Sequence, residues 1–253
     1  MDIRVGGGGA ATVSPAELLI TDPLGHRTGY DPSSRTIVRE LPAGVGEYGR
    51  ERLDDDVTGE AGSESVQLSL SSPDEGLYLL TLTGVLRGEF WLEFHMDDTS
   101  GKFSHKLFTG RTDRGRVYRY RIEYSNKNAD NTLVIPDTYR IQLLPPLHSE
   151  RANVFEGGST VPIRFRLTDR EGKHAPGVNA TLSIQKEDGK PQGGTPTGDL
   201  AKGLSSEERR VHFLPRSGIY YHKMSTKSLS KGKWKIIIHL EDGSEHVAFL
   251  EVR

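Results

Sequence analysis

The stretch that most restricts what this chain can become is its last, residues 218–253. Trp234, Ile236, Ile238 and Leu240 share one parity, while Lys233, Lys235 and His239 take most of the other. That is the period-2 pattern of a half-buried strand, with Ile237 alone breaking the alternation. Glu241-Asp242-Gly243-Ser244 then places an Asp-Gly pair where a tight turn needs positive φ. Val247, Phe249 and Glu251 alternate with Ala248, Leu250 and Val252 as a returning strand, so the stretch predicts a β-hairpin. Upstream, Leu229-Ser230-Lys231-Gly232-Lys233-Trp234 sets a Gly two residues ahead of an aromatic strand start.

The same order of turn, Gly and aromatic strand start recurs in Asp74-Glu75-Gly76-Leu77-Tyr78. In immunoglobulin-like sandwiches an aromatic at this corner, commonly Tyr, turns its polar tip back to a backbone group. One such corner is expected per sandwich, and the final hairpin becomes the F–G pair of the second. The chain is therefore predicted to be all-β, two immunoglobulin-like or fibronectin-like β-sandwiches in tandem. The motif speaks to fold and names no chemistry.

With 253 residues the chain has room for two domains of ordinary size. A net charge of −2 argues against a nucleic-acid binder, which would carry a basic face with aromatics between the cations. Arg111, Arg114, Arg116, Arg119 and Arg121 come nearest, and their alternation with Val117, Tyr118 and Tyr120 describes a solvated strand face. There is no Cys, so disulfides and a cysteine nucleophile are excluded. No apolar run reaches the length of a membrane helix, so no membrane insertion is expected.

Residues 1–13, with Gly6-Gly7-Gly8-Gly9, have flexible-linker composition and are expected to be a tail, of the kind left in a piece cut from a longer protein. The first domain is expected over 14–125. Ala16-Glu17-Leu18-Leu19-Ile20-Thr21 reads as a strand, Asp22-Pro23-Leu24-Gly25 as a turn and 27–32 as a polar loop. Residues 36–41 form a short strand, and the Gly-, Asp- and Glu-rich 42–64 a long surface loop. Strands follow at 65–70, from the Tyr78 corner, at 88–95, at 106–110 and at 117–124. Residues 126–138 are expected to be the linker and 139–253 the second domain. Its strands fall at 139–144, ended by Pro145-Pro146, then at 160–168, 180–185 and 219–222, followed by the final hairpin.

Gly158-Ser159-Thr160-Val161-Pro162-Ile163-Arg164-Phe165-Arg166-Leu167-Thr168-Asp169, with residues 229–234 and 240–244, resembles the PxKF-type sandwich domains that end many large bacterial extracytoplasmic proteins. Arg164 stands where the family name has Lys and keeps the charge. More loosely, residues 18–25 and 74–78 look like the accessory sandwich domains of bacterial surface proteins. The resemblance implies an appended module in an extracytoplasmic protein, with neighbouring domains or other surface proteins as partners. It carries over no catalytic residue.

The motifs of α/β-hydrolases, zinc peptidases, P-loops and EF-hands are absent from the sequence. Asp54, Asp55, Asp56 and Glu60, and separately Asp97-Asp98, offer the hard oxygen ligands Ca2+ takes, against the plainer reading of solvated acidic loops. His222, His239 and His246 form a metal set only if their strands are neighbours. Tyr30, Tyr48, Trp91 or Tyr221 would stack on a sugar ring if exposed on an open sheet, whereas most such residues belong to cores or corners. The leading expectation is a non-catalytic structural or interaction module without a cofactor. Alternatives are a carbohydrate-binding module recognising polysaccharide and, more distantly, a hydrolase.

Overall fold

The computed structural model describes residues 1–8, 13–42, 44–52, 64–149, 153–187 and 210–253. It is all-β, and the chain divides into two compact units, Met1–Thr138 and Tyr139–Arg253. No helix among the described residues is long and apolar enough to cross a membrane.

In the first unit one sheet has the order β5 (Gly46–Arg52), β6 (Glu64–Leu70), β1 (Asp2–Gly7), β8 (Gly88–Asp97), β9 (Phe103–Thr112). The facing sheet runs β11 (Leu133–Pro136), β10 (Val117–Tyr124), β7 (Gly76–Gly84), β2 (Ala16–Thr21), β3 (Arg27–Asp31), β4 (Thr36–Arg39). Side-chain alternation puts Ile3, Val5, Leu68, Phe90, Leu92 and Phe94 inward from one sheet and Leu18, Ile20, Leu80, Leu82, Tyr118 and Tyr120 inward from the other, all buried. The order β10-β7-β2-β3-β4 is the G-F-C-C′-C″ order of a variable-type immunoglobulin sheet, opposite D-E-B in β5-β6-β1. The β8–β9 hairpin is an addition. It follows β7 in the chain and extends the opposite sheet beyond β1.

The second unit has a sheet β12 (Tyr139–Leu144), β14 (Thr160–Asp169), β17 (Ile219–Ser225), β16 (His212–Leu214), and a sheet β13 (Asn153–Phe155), β19 (Glu245–Val252), β18 (Gly232–Leu240), β15 (Ala180–Lys186). These are the A-B-E-D and G-F-C orders of a constant-type domain, and β13 adds a parallel pairing to β19. Pro145 and Pro146, which cannot donate to a ladder, follow the last residue of β12.

Both corners form. Tyr78 Oη donates to the Asp74 carbonyl at 2.8 Å and Trp234 Nε1 to the Ser230 carbonyl at 2.9 Å, each four residues upstream. Gly76 (φ 148°) and Gly232 (φ 129°) supply the positive φ that lets the chain turn there. A single turn grammar closes three hairpins, β2–β3, β8–β9 and β18–β19, and recurs where the chain leaves β14. At Asp22–His26, Asp98–Lys102, Asp169–Lys173 and Leu240–Ser244 the first amide bonds the last carbonyl, and the fourth residue is a positive-φ Gly.

Several expectations drawn from composition give way. Residues 2–7 are not a tail but the central strand β1, paired with both β6 and β8, because Ile3 and Val5 fill the core and the ladder satisfies the backbone. The first unit thus includes the residues before 14. Residues 126–138 are not a free linker: Ala129–Asn131 forms a 3-10 turn and Leu133–Pro136 pairs with β10. Residues 27–31 and 46–52, read as loop, are strands β3 and β5. The last three were missed because β11 and β5 are sheet edges and β3 lies beside the edge strand β4, where little apolar surface is buried.

Candidate functional site

The acidic residues Asp54, Asp55, Asp56 and Glu60 lie outside the described residues. Asp98 is committed to the β8–β9 turn. Its Oδ1 accepts from Ser100 N (2.8 Å), Ser100 Oγ (2.6 Å) and Lys102 N (3.0 Å), and its Oδ2 from Ala129 N at 3.1 Å. The Ser100 hydroxyl and these amides hold the carboxyl at about 2, below its ordinary 3.8.

The three histidines do not converge. His222 is on β17 in one sheet of the second unit, while His239 and His246 are in the other. His239 pairs with Glu245 at 3.0 Å and Ser183 at 2.7 Å on the outer face. His246 opposes the buried Ile238 and so takes the inner face, where burial lowers its pKa. It borders an open groove of about 450 Å³ with Ile141, Leu143 and Val247. The arginine run divides as well, with Arg111 on β9 of one sheet and Arg119 and Arg121 on β10 of the other.

Of the aromatics, Tyr48 is buried and donates its hydroxyl to Glu17, whose other oxygen receives Arg50. This buried carboxylate ties β2 to β5 across the sandwich, and burial pushes the Tyr48 hydroxyl upward. Tyr30 and Tyr221 are half-buried. Trp91 differs in being a half-buried indole on the outer face of the β1–β8 pair, opposite Gly6. A Cβ at position 6 would lie 2.3 Å from Trp91 Cζ2, so the ring rests where only glycine leaves room.

The same outer face carries a group that the sequence reading missed. His95 of β8 and His105 of β9 are direct cross-strand partners, and Glu93 is two residues before His95 on the same side. Glu93 Oε1 lies 2.7 Å from His105 Nε2 and Oε2 3.1 Å from His95 Nε2, and the imidazole centroids are 4.9 Å apart at 36°. Burial works against the Glu93 charge, yet the hydrogen bonds from His95 and His105 outweigh it and lower the carboxyl pKa. One ligand atom from each residue falls within 4.8 Å of the other two. The signal was present in the sequence: once Asp98–Lys102 is read as a tight turn, residues equidistant from Ser100 must face each other.

No protein-family model and no curated protein matches the chain. Among solved structures, a mutant Salmonella alpha-2-macroglobulin is similar at 13% identity and TM-score 0.34, over 98% of this chain and 19% of that one. An Escherichia coli adhesin that elicits protection against urinary tract infections is similar at 11% identity and TM-score 0.28, over 99% of this chain and 96% of that one. A titin tandem of immunoglobulin domains follows at 12% identity and TM-score 0.25, over 100% and 98%. The chain thus spans under a fifth of the macroglobulin's length.

Proposed function

We propose that the chain is a non-catalytic structural or interaction module of a larger bacterial surface or secreted protein, serving as a stalk, spacer or adhesion segment. The observation that carries this is the tandem itself: only Asp137 and Thr138 separate β11 of the first unit from β12 of the second. Both are bonded within the first unit, Asp137 N donating to the Arg119 carbonyl at 2.7 Å and Thr138 Oγ1 accepting from Arg119 N at 2.9 Å. Tension applied along the chain would pass between units through two residues that are each hydrogen-bonded to Arg119, which suits a spacer. The PxKF-type resemblance of the second unit supports the extracytoplasmic setting, and neighbouring domains or other surface proteins are the partners it implies. Pulling single molecules from both ends tests the reading. Two discrete unfolding steps, one per unit, are expected; turnover of an ester, peptide or glycosidic substrate by the purified chain would sink it.

One observation favours a second reading, a carbohydrate-binding module: the Trp91 indole lies against Gly6 on an open sheet face. Aromatic faces of this kind stack on sugar rings. The plainer account is that Trp91 shields the bare backbone of a strand glycine. A glycan array with the Trp91→Ala variant as control separates the two, since polysaccharide recognition requires a signal that the variant loses.

A further inference from the structure

We propose that Glu93, His95 and His105 form a binding site for a late first-row divalent cation, Zn2+ foremost, on the outer face of the β8–β9 hairpin. The inference goes beyond the module reading and does not depend on it.

The ligand chemistry selects the metal class. Two imidazole nitrogens and one carboxylate suit Zn2+, Ni2+ or Cu2+, whereas Ca2+ and Mg2+ prefer an all-oxygen set. Strand geometry supplies the convergence. Cross-strand partners in an antiparallel pair hold their Cβ atoms about 4.5–5.5 Å apart, close enough for two imidazoles to reach one ion. Here both Nε2 atoms already point at one carboxylate, at 2.7 and 3.1 Å. A cation bound at about 2.0–2.1 Å from each nitrogen would replace those two hydrogen bonds and leave remaining positions to water.

The hairpin fixes its ligands from both ends. The Asp98 carboxylate holds the turn that sets the His95–His105 register, and on its other side β8 pairs with β1 in the sheet interior. The neighbouring charges are mixed. Asp2 opposes His95 across β1 and favours a cation; Arg4 opposes Glu93 and disfavours one, while its Nη1 also lies 3.7 Å from Glu51. A carboxylate merely hydrogen-bonded to two histidines would show the same distances, and the two accounts part on metal affinity.

The test is calorimetric titration of ZnCl2 into the full chain at neutral pH, with CoCl2 as an optical probe of nitrogen ligation. Wild type is expected to bind one equivalent at this site. His95→Ala, His105→Ala and Glu93→Gln should each weaken it by about tenfold or more, the scale on which metal sets respond to losing a supporting group. His239→Ala removes a histidine paired to a single carboxylate in the other unit and should leave the affinity unchanged. His105→Gln is measured beside His105→Ala, so that failure of one to fold leaves the other. Affinity in the His95→Ala/His105→Ala double variant equal to wild type would overturn the site, as would equal weakening by His239→Ala.

Discussion

At the scale of single residues, the two corner aromatics perform one task with different chemistry. Tyr78 offers a hydroxyl and Trp234 an indole N–H, and each closes onto a carbonyl four residues back. Trp234 is 7% exposed, so Trp234→Ala is expected to cost about 3–5 kcal/mol in denaturant melts of the second unit, the usual loss for a large buried aromatic. Tyr78→Phe keeps the ring and removes one hydrogen bond, so about 0.5–1.5 kcal/mol is expected in the first unit. A Trp234→Ala loss below about 1 kcal/mol would contradict the burial. Asp98 gives a pH signature. Its carboxyl lies at about 2 in the folded chain against an ordinary 3.8, so its contribution is present above pH 3.8 and is lost as pH falls toward 2. Asp98→Asn should lower the first unit's thermal midpoint at neutral pH. The gap to wild type should close between pH 4 and 2; a gap unchanged over that window would rule out the charge as its source.

At the scale of elements, strands were legible where several apolar residues alternate and illegible where a strand carries few of them. The alternation of Phe90, Leu92 and Phe94 announces β8, whereas Arg27–Asp31 and Gly46–Arg52 look like loop. Strand β1 is the sharpest case. Its glycines read as a linker, yet Gly6 and Gly7 complete a central strand, and Gly6 is small because Trp91 lies over it. Deleting residues 1–7 strips Ile3 and Val5 from the core, each worth about 1.5–3 kcal/mol, and leaves β6 and β8 unpaired between them. Loss of cooperative unfolding of the first unit is expected, with the second unit unaffected. A truncated chain that melts like wild type would restore the tail reading. The missed Glu93–His95–His105 group has the same origin, since strand alternation alone aligns Glu93 with His95 but only the hairpin register brings His105 opposite.

For the whole molecule, the decisive feature is that each unit has its own pair of sheets and its own core. One tryptophan lies in each, Trp91 in the first and Trp234 in the second. Single-tryptophan variants Trp91→Phe and Trp234→Phe should therefore report separate unfolding transitions. The fragment 139–253 should reproduce the transition seen through Trp234. Superimposed transitions in both variants, with no folded fragment, would show one cooperative body in place of two units.

By itself the sequence determined the all-β class, the two corners, the Asp22–Gly25 turn and the final hairpin. Each rests on interactions within a few residues, a positive-φ glycine or an alternation that any half-buried strand must show. The place of β1 in the middle of a sheet and the strand character of the segment after Tyr124 were decided by tertiary structure. These depend on which strand edges satisfy which backbone groups. A strand with only one or two inward apolar residues leaves too short a periodic mark to stand out, so its partners are settled only when the sheets assemble.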